Sequence, residues 1–157
     1  MSVRVCVLGS GSRGNSTLVA TEKTRLLIDA GFSKRETFAR LAAVGERTDG
    51  FDALVISHEH TDHISGLRAL ALEWKAPVYI SPATRDAIRW DPQLRAVELF
   101  NAGQKFTIGE GGISVPIARQ RLFIDVHAVF SDDSCKLVER IGEIGCGNPL
   151  RTNAAHD

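Results

Sequence analysis

The chain has 157 residues, 43% of them apolar and 24% charged, ordinary proportions for one modest globular domain with a real core. Its 19 basic and 19 acidic side chains cancel, which argues against a strong global electrostatic grip on nucleic acid and leaves only a local basic patch open. No run of about 18 apolar residues exists, so no membrane span is expected, and a basic start followed by a long apolar run, the mark of a signal peptide, is missing too.

Residues 3–8 are a β-rich apolar run with Arg4 on the alternate face, and they predict the first strand. Cys6 lies inside it and is expected to be a buried thiol. With Cys135 and Cys146 it makes three widely spaced cysteines, which points to a reducing cytoplasm rather than a disulfide framework. A glycine- and serine-rich turn over 9–15 leads to strands at 16–20 and 25–28, which complete an antiparallel meander. Gly9-x-Gly11-x-x-Gly14 has the form of a dinucleotide fingerprint, and Asp29 lies near the spacing of a ribose-binding acid. That fingerprint requires a helix after its third glycine, whereas Ser16-Thr-Leu-Val-Ala is strand-like, so the glycines are read as a tight connection. Arg13 and Asn15 on this turn are candidate substrate-facing residues; the plain alternative is two surface turn residues.

Ser33-Lys-Arg-Glu36 fits a capping box, with Phe38, Leu41 and Val44 as the helical stripe and Gly45 as the stop. Residues 52–56 read as a short buried strand and 65–74 as a helix. Trp74 falls on the helical stripe of Leu67, Leu70 and Ala71, which makes it core rather than a base-stacking platform. A strand at 77–81, a helix opening at Pro82 and running to 90, and strands at 96–100 and 105–108 follow. Sheets covered by helices suit this order, an α/β (α+β) class.

Between the 52–56 strand and the next helix lies Ser57-His58-Glu59-His60-Thr61-Asp62-His63. Three of the five histidines fall within six residues there, with carboxylates among them. Imidazole suits zinc and similar borderline metals, and a carboxylate adds negative charge. His58 and His60, two apart, point to one side of an extended segment and can hold one ion together. Asp62 and His63, adjacent, can face a second position in a turn, and two ions roughly 3.5–4 Å apart can activate water and clamp a phosphoryl oxygen. A helical zincin motif is rejected, because its second histidine would fall at position 62, which is Asp62. A merely solvated polar loop is the bland alternative.

His-x-His-x-Asp-His after a hydrophobic strand resembles the signature of the metallo-β-lactamase superfamily. Leu26-Leu-Ile-Asp29-Ala-Gly31 is similar to a second superfamily motif, and Leu8-Gly-Ser-Gly-Ser-Arg-Gly-Asn-Ser16 looks like its YycJ/WalJ-type branch. The resemblance implies an αβ/βα sandwich and a hydrolase with two Zn²⁺ per site, or Mn²⁺. It also implies His58 and His60 on the first ion and Asp62 and His63 on the second, with Asp62 orienting the nucleophile as a catalytic group. The branch implies hydrolysis of nucleic-acid phosphodiesters in the manner of a DNA exonuclease, by hydroxide generated from bound water. Asp29 has two readings: it orients a ligand histidine, which the resemblance favours, or it caps the turn into Gly31.

The likeness covers about residues 3–110 and then ends. Family members are longer, and after a strand like 105–108 they supply a third histidine for the first ion. Residues 111–120 hold none, and His127, in the apolar run 122–130, is either an incidental strand residue or a weak ligand candidate. Two segments are therefore expected: 1–110, the N-terminal half of the family's domain, and 111–157, a divergent or non-homologous end left by a frameshift, premature stop or divergence. Weak metal binding and exposed apolar sheet surface would follow. Two other functions stay open: a thioester, lactone or lactam hydrolase on the same metal centre, and an inactive metal-binding remnant or interaction module. A nucleic-acid partner, DNA foremost, and no membrane are expected; the oligomeric state is not legible.

Overall fold

The computed structural model describes residues 3–94, 96–101, 105–109, 113–118 and 121–122. Strands β1 (Arg4–Gly9), β2 (Ser16–Ala20) and β3 (Arg25–Ile28) form the expected antiparallel meander. Helix α1 (Lys34–Ala43) then crosses over to β4 (Ala53–Val55), which lies parallel to β3. The chain continues through α2 (Thr61–Ile64), α3 (Leu67–Trp74), β5 (Val78–Ile80), α4 (Pro82–Ala87) and β6 (Val97–Leu99). One six-stranded sheet results, ordered β1-β2-β3-β4-β5-β6, with its last three pairings parallel. A second, antiparallel sheet holds β7 (Lys105–Ile108), β8 (Ile113–Ala118) and β9 (Arg121–Leu122).

The alternation of side chains divides the core in two. Leu18, Leu27, Leu54, Ile56, Val78 and Ile80 face the helices and pack with Leu41, Leu67, Leu70 and Ala71. Val19, Leu26, Ile28, Ala53 and Val55 face the other way and meet Phe100, Ile108 and Ile113. Strands β3 and β4 are thus apolar on both faces, as the runs Leu26-Leu-Ile28 and Ala53-Leu-Val55 require. Lys105 pairs with Pro116 and Ile108 with Ile113, so the second sheet joins residues on both sides of position 110.

Several expectations need correction. Val44 is 48% exposed, because it is the C-cap of α1 and lies past the last turn that faces the sheet; Thr37 is buried instead. The capping box is half made: Ser33 Oγ accepts from the Glu36 N–H, while the Glu36 carboxylate pairs with Arg40, one turn on. The helix at Pro82 ends at Ala87 rather than residue 90, where Ile88 turns to extended backbone. Helical structure begins at Thr61, before the expected start, with a break at Ser65 and Gly66. Cys6 is half-buried at the rim of the helix-side core, because β1 is an edge strand; on its other face Val5 and Val7 are exposed. Expectations for His127, Cys135 and Cys146 lie outside the described residues.

Trp74 is core. Its ring stacks on Phe51 at 4.0 Å and on Phe38 at 6.0 Å, and its Nε1–H donates to the Thr48 carbonyl at 2.7 Å. The contact anchors the 46–50 connection and so fixes the start of β4, the strand that carries the histidine loop.

Candidate metal centre

Strand β4 delivers the loop at the C-terminal edge of the parallel strands, beside the end of β3. Asp29 leaves β3 with φ +58°, a left-handed conformation that aspartate tolerates better than most residues. Its N–H still bonds to the Val55 carbonyl, at 2.8 Å. The chain beyond it zips onto the loop. Ala30 N–H donates to the His63 carbonyl at 2.7 Å, Gly66 N–H to the Ala30 carbonyl at 2.7 Å, and Asn15 N–H to the Asp62 carbonyl at 2.7 Å. Two segments distant in sequence, at Asn15 and at Ala30, therefore hold the histidine loop by its backbone. Gly31 and Gly66 make the approach possible: a Cβ at Gly31 would overlap the Asp62 carbonyl oxygen, and one at Gly66 the Phe32 carbonyl oxygen.

Asp29, 8% exposed, is the hub beneath the loop. Its Oδ1 accepts from the Ser57 N–H at 2.8 Å, its Oδ2 lies 2.7 Å from His63 Nδ1, and the Ser57 hydroxyl is 2.8 Å from both oxygens. Ser57 Oγ is also 2.9 Å from His58 Nδ1. A hydroxyl has one hydrogen; given to the carboxylate, it leaves a lone pair for the Nδ1–H of His58. His63 donates its own Nδ1–H to Asp29. Both rings then carry their Nε2 lone pairs away from the hub, which is the tautomer a metal ligand needs.

Burial opposes protonation of His63, but the hydrogen bond and charge of Asp29, aided by Asp62, outweigh it and hold the imidazole above its ordinary pKa. Burial and then the neighbouring His63 push His58 below its ordinary value, against the charge of Asp29.

The outward donors come in two pairs. His58 Nε2 is 3.1 Å from His60 Nδ1, with His60 in extended backbone as the i, i+2 spacing requires. His63 Nε2 is 3.6 Å from Asp62 Oδ2, the two residues lying on α2. Donors on one tetrahedral zinc, each roughly 2.0–2.2 Å from it, are separated by about 3.3 Å. Each pair therefore fits two corners of an ion's shell. Among the described residues no group of three or more His, Cys, Asp or Glu side chains is arranged to hold an ion. The donor set fits a metal as two half-sites and stops there. Glu59 is exposed, and so is Arg13, whereas Asn15 reaches into the second pair. Sequence reasoning missed Ser57; the signal available was its position between a strand end and the first histidine.

A family model described as the metallo-beta-lactamase superfamily matches residues 9–143. The chain belongs to this superfamily. The match continues past residue 110, where the motif likeness ends. Among relatives, the exodeoxyribonuclease WalJ of Streptococcus pneumoniae serotype 2 (strain D39 / NCTC 7466) is 35% identical over 109 residues, 66% of this chain and 40% of that protein. The exodeoxyribonuclease YycJ of Bacillus anthracis is 33% identical over 113 residues, 72% of this chain and 41% of that protein. The chain thus spans about two fifths of the length of these relatives. A metallo-β-lactamase from Cronobacter sakazakii shares the fold with a TM-score of 0.57 at 23% identity, over 71% of this chain and 49% of that one. No helix among the described residues is long and apolar enough to cross a membrane.

Proposed function

We propose that the chain carries the ligand loop of a metal-dependent hydrolase that acts on nucleic-acid phosphodiesters, DNA foremost, as an exonuclease in the cytoplasm. The observation that carries this reading is the pair of half-sites, His58 with His60 and Asp62 with His63, mounted on one Asp29–Ser57 hub. The names of the WalJ and YycJ relatives supply the substrate class.

In this reading His58 and His60 hold one divalent ion, and Asp62 and His63 a second, Zn²⁺ or Mn²⁺. Such an ion, when bound, acidifies water and neutralises charge on a phosphoryl group. The chain's own residues do the rest. Asp29 and Ser57 fix both imidazoles with Nε2 outward, and Asp62 orients the attacking nucleophile. The turn over residues 9–15 is bonded to the loop through Asn15, which supports a role for it and for the exposed Arg13 in facing substrate.

The test is hydrolysis of end-labelled single-stranded DNA, with a thioester assayed beside it, for wild type and His58→Ala in the presence of Zn²⁺ or Mn²⁺. Loss of DNA cleavage in the variant is expected. Full retention overturns the site assignment. Hydrolysis of the thioester alone moves the reading to the other substrate class, and bound metal with no turnover reduces the chain to a metal-binding remnant.

A further inference from the structure

The Asn15 side chain sits in an unusual place. Its Nδ2 lies 2.8 Å from Asp62 Oδ2, 3.1 Å from His63 Nε2, 3.1 Å from the Gly11 carbonyl and 3.4 Å from the Asp62 carbonyl. Four electron-pair donors surround one amide nitrogen that has two hydrogens to give. Such a shell is better matched to a cation than to an amide, since an ion attracts every donor around it at once. Two of the four are the donors assigned above to the second ion. On its other side the amide closes a local ring, Oδ1 accepting from the Gly11 N–H at 2.9 Å, so the side chain is tethered to the turn over residues 9–15.

We infer that the Asn15 amide nitrogen and the second divalent ion compete for one place between Asp62 Oδ2 and His63 Nε2, so that the residue 9–15 turn regulates occupancy of the second half-site. The inference rests on the proposed metal reading and deepens it. An ion binding there displaces the amide side chain, which turns out of the pair on a backbone that stays bonded to the Asp62 carbonyl and the Gly31 N–H, and the displacement reaches Gly11 through the two local side-chain bonds. Binding of the second ion is thereby coupled to the part of the chain proposed to face the nucleic acid. In Asn15→Asp the donor nitrogen becomes a carboxylate oxygen: a competitor becomes a ligand.

The experiment is a Co²⁺ titration of the full chain, followed by ligand-field absorption, for wild type, Asn15→Asp and Asp62→Ala. Wild type is expected to show two binding steps, the weaker one lost in Asp62→Ala. Asn15→Asp is expected to tighten that step by about tenfold or more, because an added carboxylate replaces a repelled amide. A second step in Asn15→Asp that is unchanged or weaker, while wild type keeps its Asp62-dependent step, overturns the inference and leaves the metal reading standing. No Co²⁺ uptake by wild type or by Asn15→Asp overturns both. The nitrogen–proton spectrum of the Asn15 side-chain amide in wild type checks the same point without a variant. Zn²⁺ is expected to move that signal to the position of a solvated amide, and an unmoved signal overturns the competition.

Discussion

The Asp29 carboxylate lies 2.7 Å from His63 Nδ1, across 34 positions of sequence. The same carboxylate takes the Ser57 backbone and hydroxyl, so one residue at the end of β3 sets the orientation of a donor in each half-site. Its left-handed backbone would also suit a plain turn residue, and the two roles can be separated. Asparagine tolerates the same backbone conformation but is neutral, and it has an acceptor at only one of the two positions that meet the Ser57 N–H and His63 Nδ1. Asp29→Asn is therefore expected to stay folded at a somewhat lower melting temperature and to lose about 10–100-fold in Zn²⁺ affinity by calorimetric titration. Unchanged affinity would reduce Asp29 to the turn.

The backbone approach of Gly31 to the Asp62 carbonyl gives a second prediction. A methyl group there has no room, and the obstacle is backbone rather than a flexible side chain. Gly31→Ala must push the ligand loop away from β3. A loss of about 1–3 kcal/mol in urea unfolding is expected, with a drop in bound metal per folded chain. Wild-type values of both would mean that the loop does not dock on β3 as described.

Trp74 allows a test of structure against function. It stacks on Phe51 and bonds to Thr48, remote from substrate in the proposed reading. Trp74→Ala is expected to destabilise the fold by about 3–5 kcal/mol, and Trp74→Phe, which keeps the stack and loses the hydrogen bond, by about 1 kcal/mol. In a Trp90→Phe background, single-stranded DNA should leave Trp74 fluorescence unquenched. Strong quenching would return the ring to the role of a base platform.

What the sequence makes legible follows from the range of the forces involved. Strands β2, β3 and β7 could be placed to the residue because apolar runs and turn residues are local signals. The candidate ligand loop is equally plain as a cluster, since His58, His60, Asp62 and His63 are close in the chain. Strand β8 was hidden, as Pro116 in its middle removes a ladder donor and argues against a strand. The hub was half visible. Asp29 could be suspected from its place at a strand end, but the double use of its oxygens and the part of Ser57 depend on β3 and β4 being parallel neighbours, a pairing made over 27 residues. Asn15 looked like turn chemistry because nothing local shows that its amide meets Asp62.

The last prediction concerns metal and stability together. The loop is held by backbone bonds from two distant segments, at Asn15 and Ala30, so binding at the half-sites should stabilise the whole first sheet rather than the loop alone. An ion that binds only the folded chain adds RT ln(1 + [L]/Kd), about 2.7 kcal/mol at a hundredfold excess over Kd. For a chain of this size that corresponds to a rise of roughly 5–10 °C in Tm. Zn²⁺ should produce such a rise by differential scanning calorimetry, and EDTA should reverse it. His58→Ala and Asp62→Ala should each retain only the part due to the intact pair, and the double variant should respond to Zn²⁺ no more than to Mg²⁺. Identical melting with Zn²⁺ and with EDTA in the wild type would sink the reading of these four residues as metal ligands. A full response in the double variant would move the ligands elsewhere in the chain.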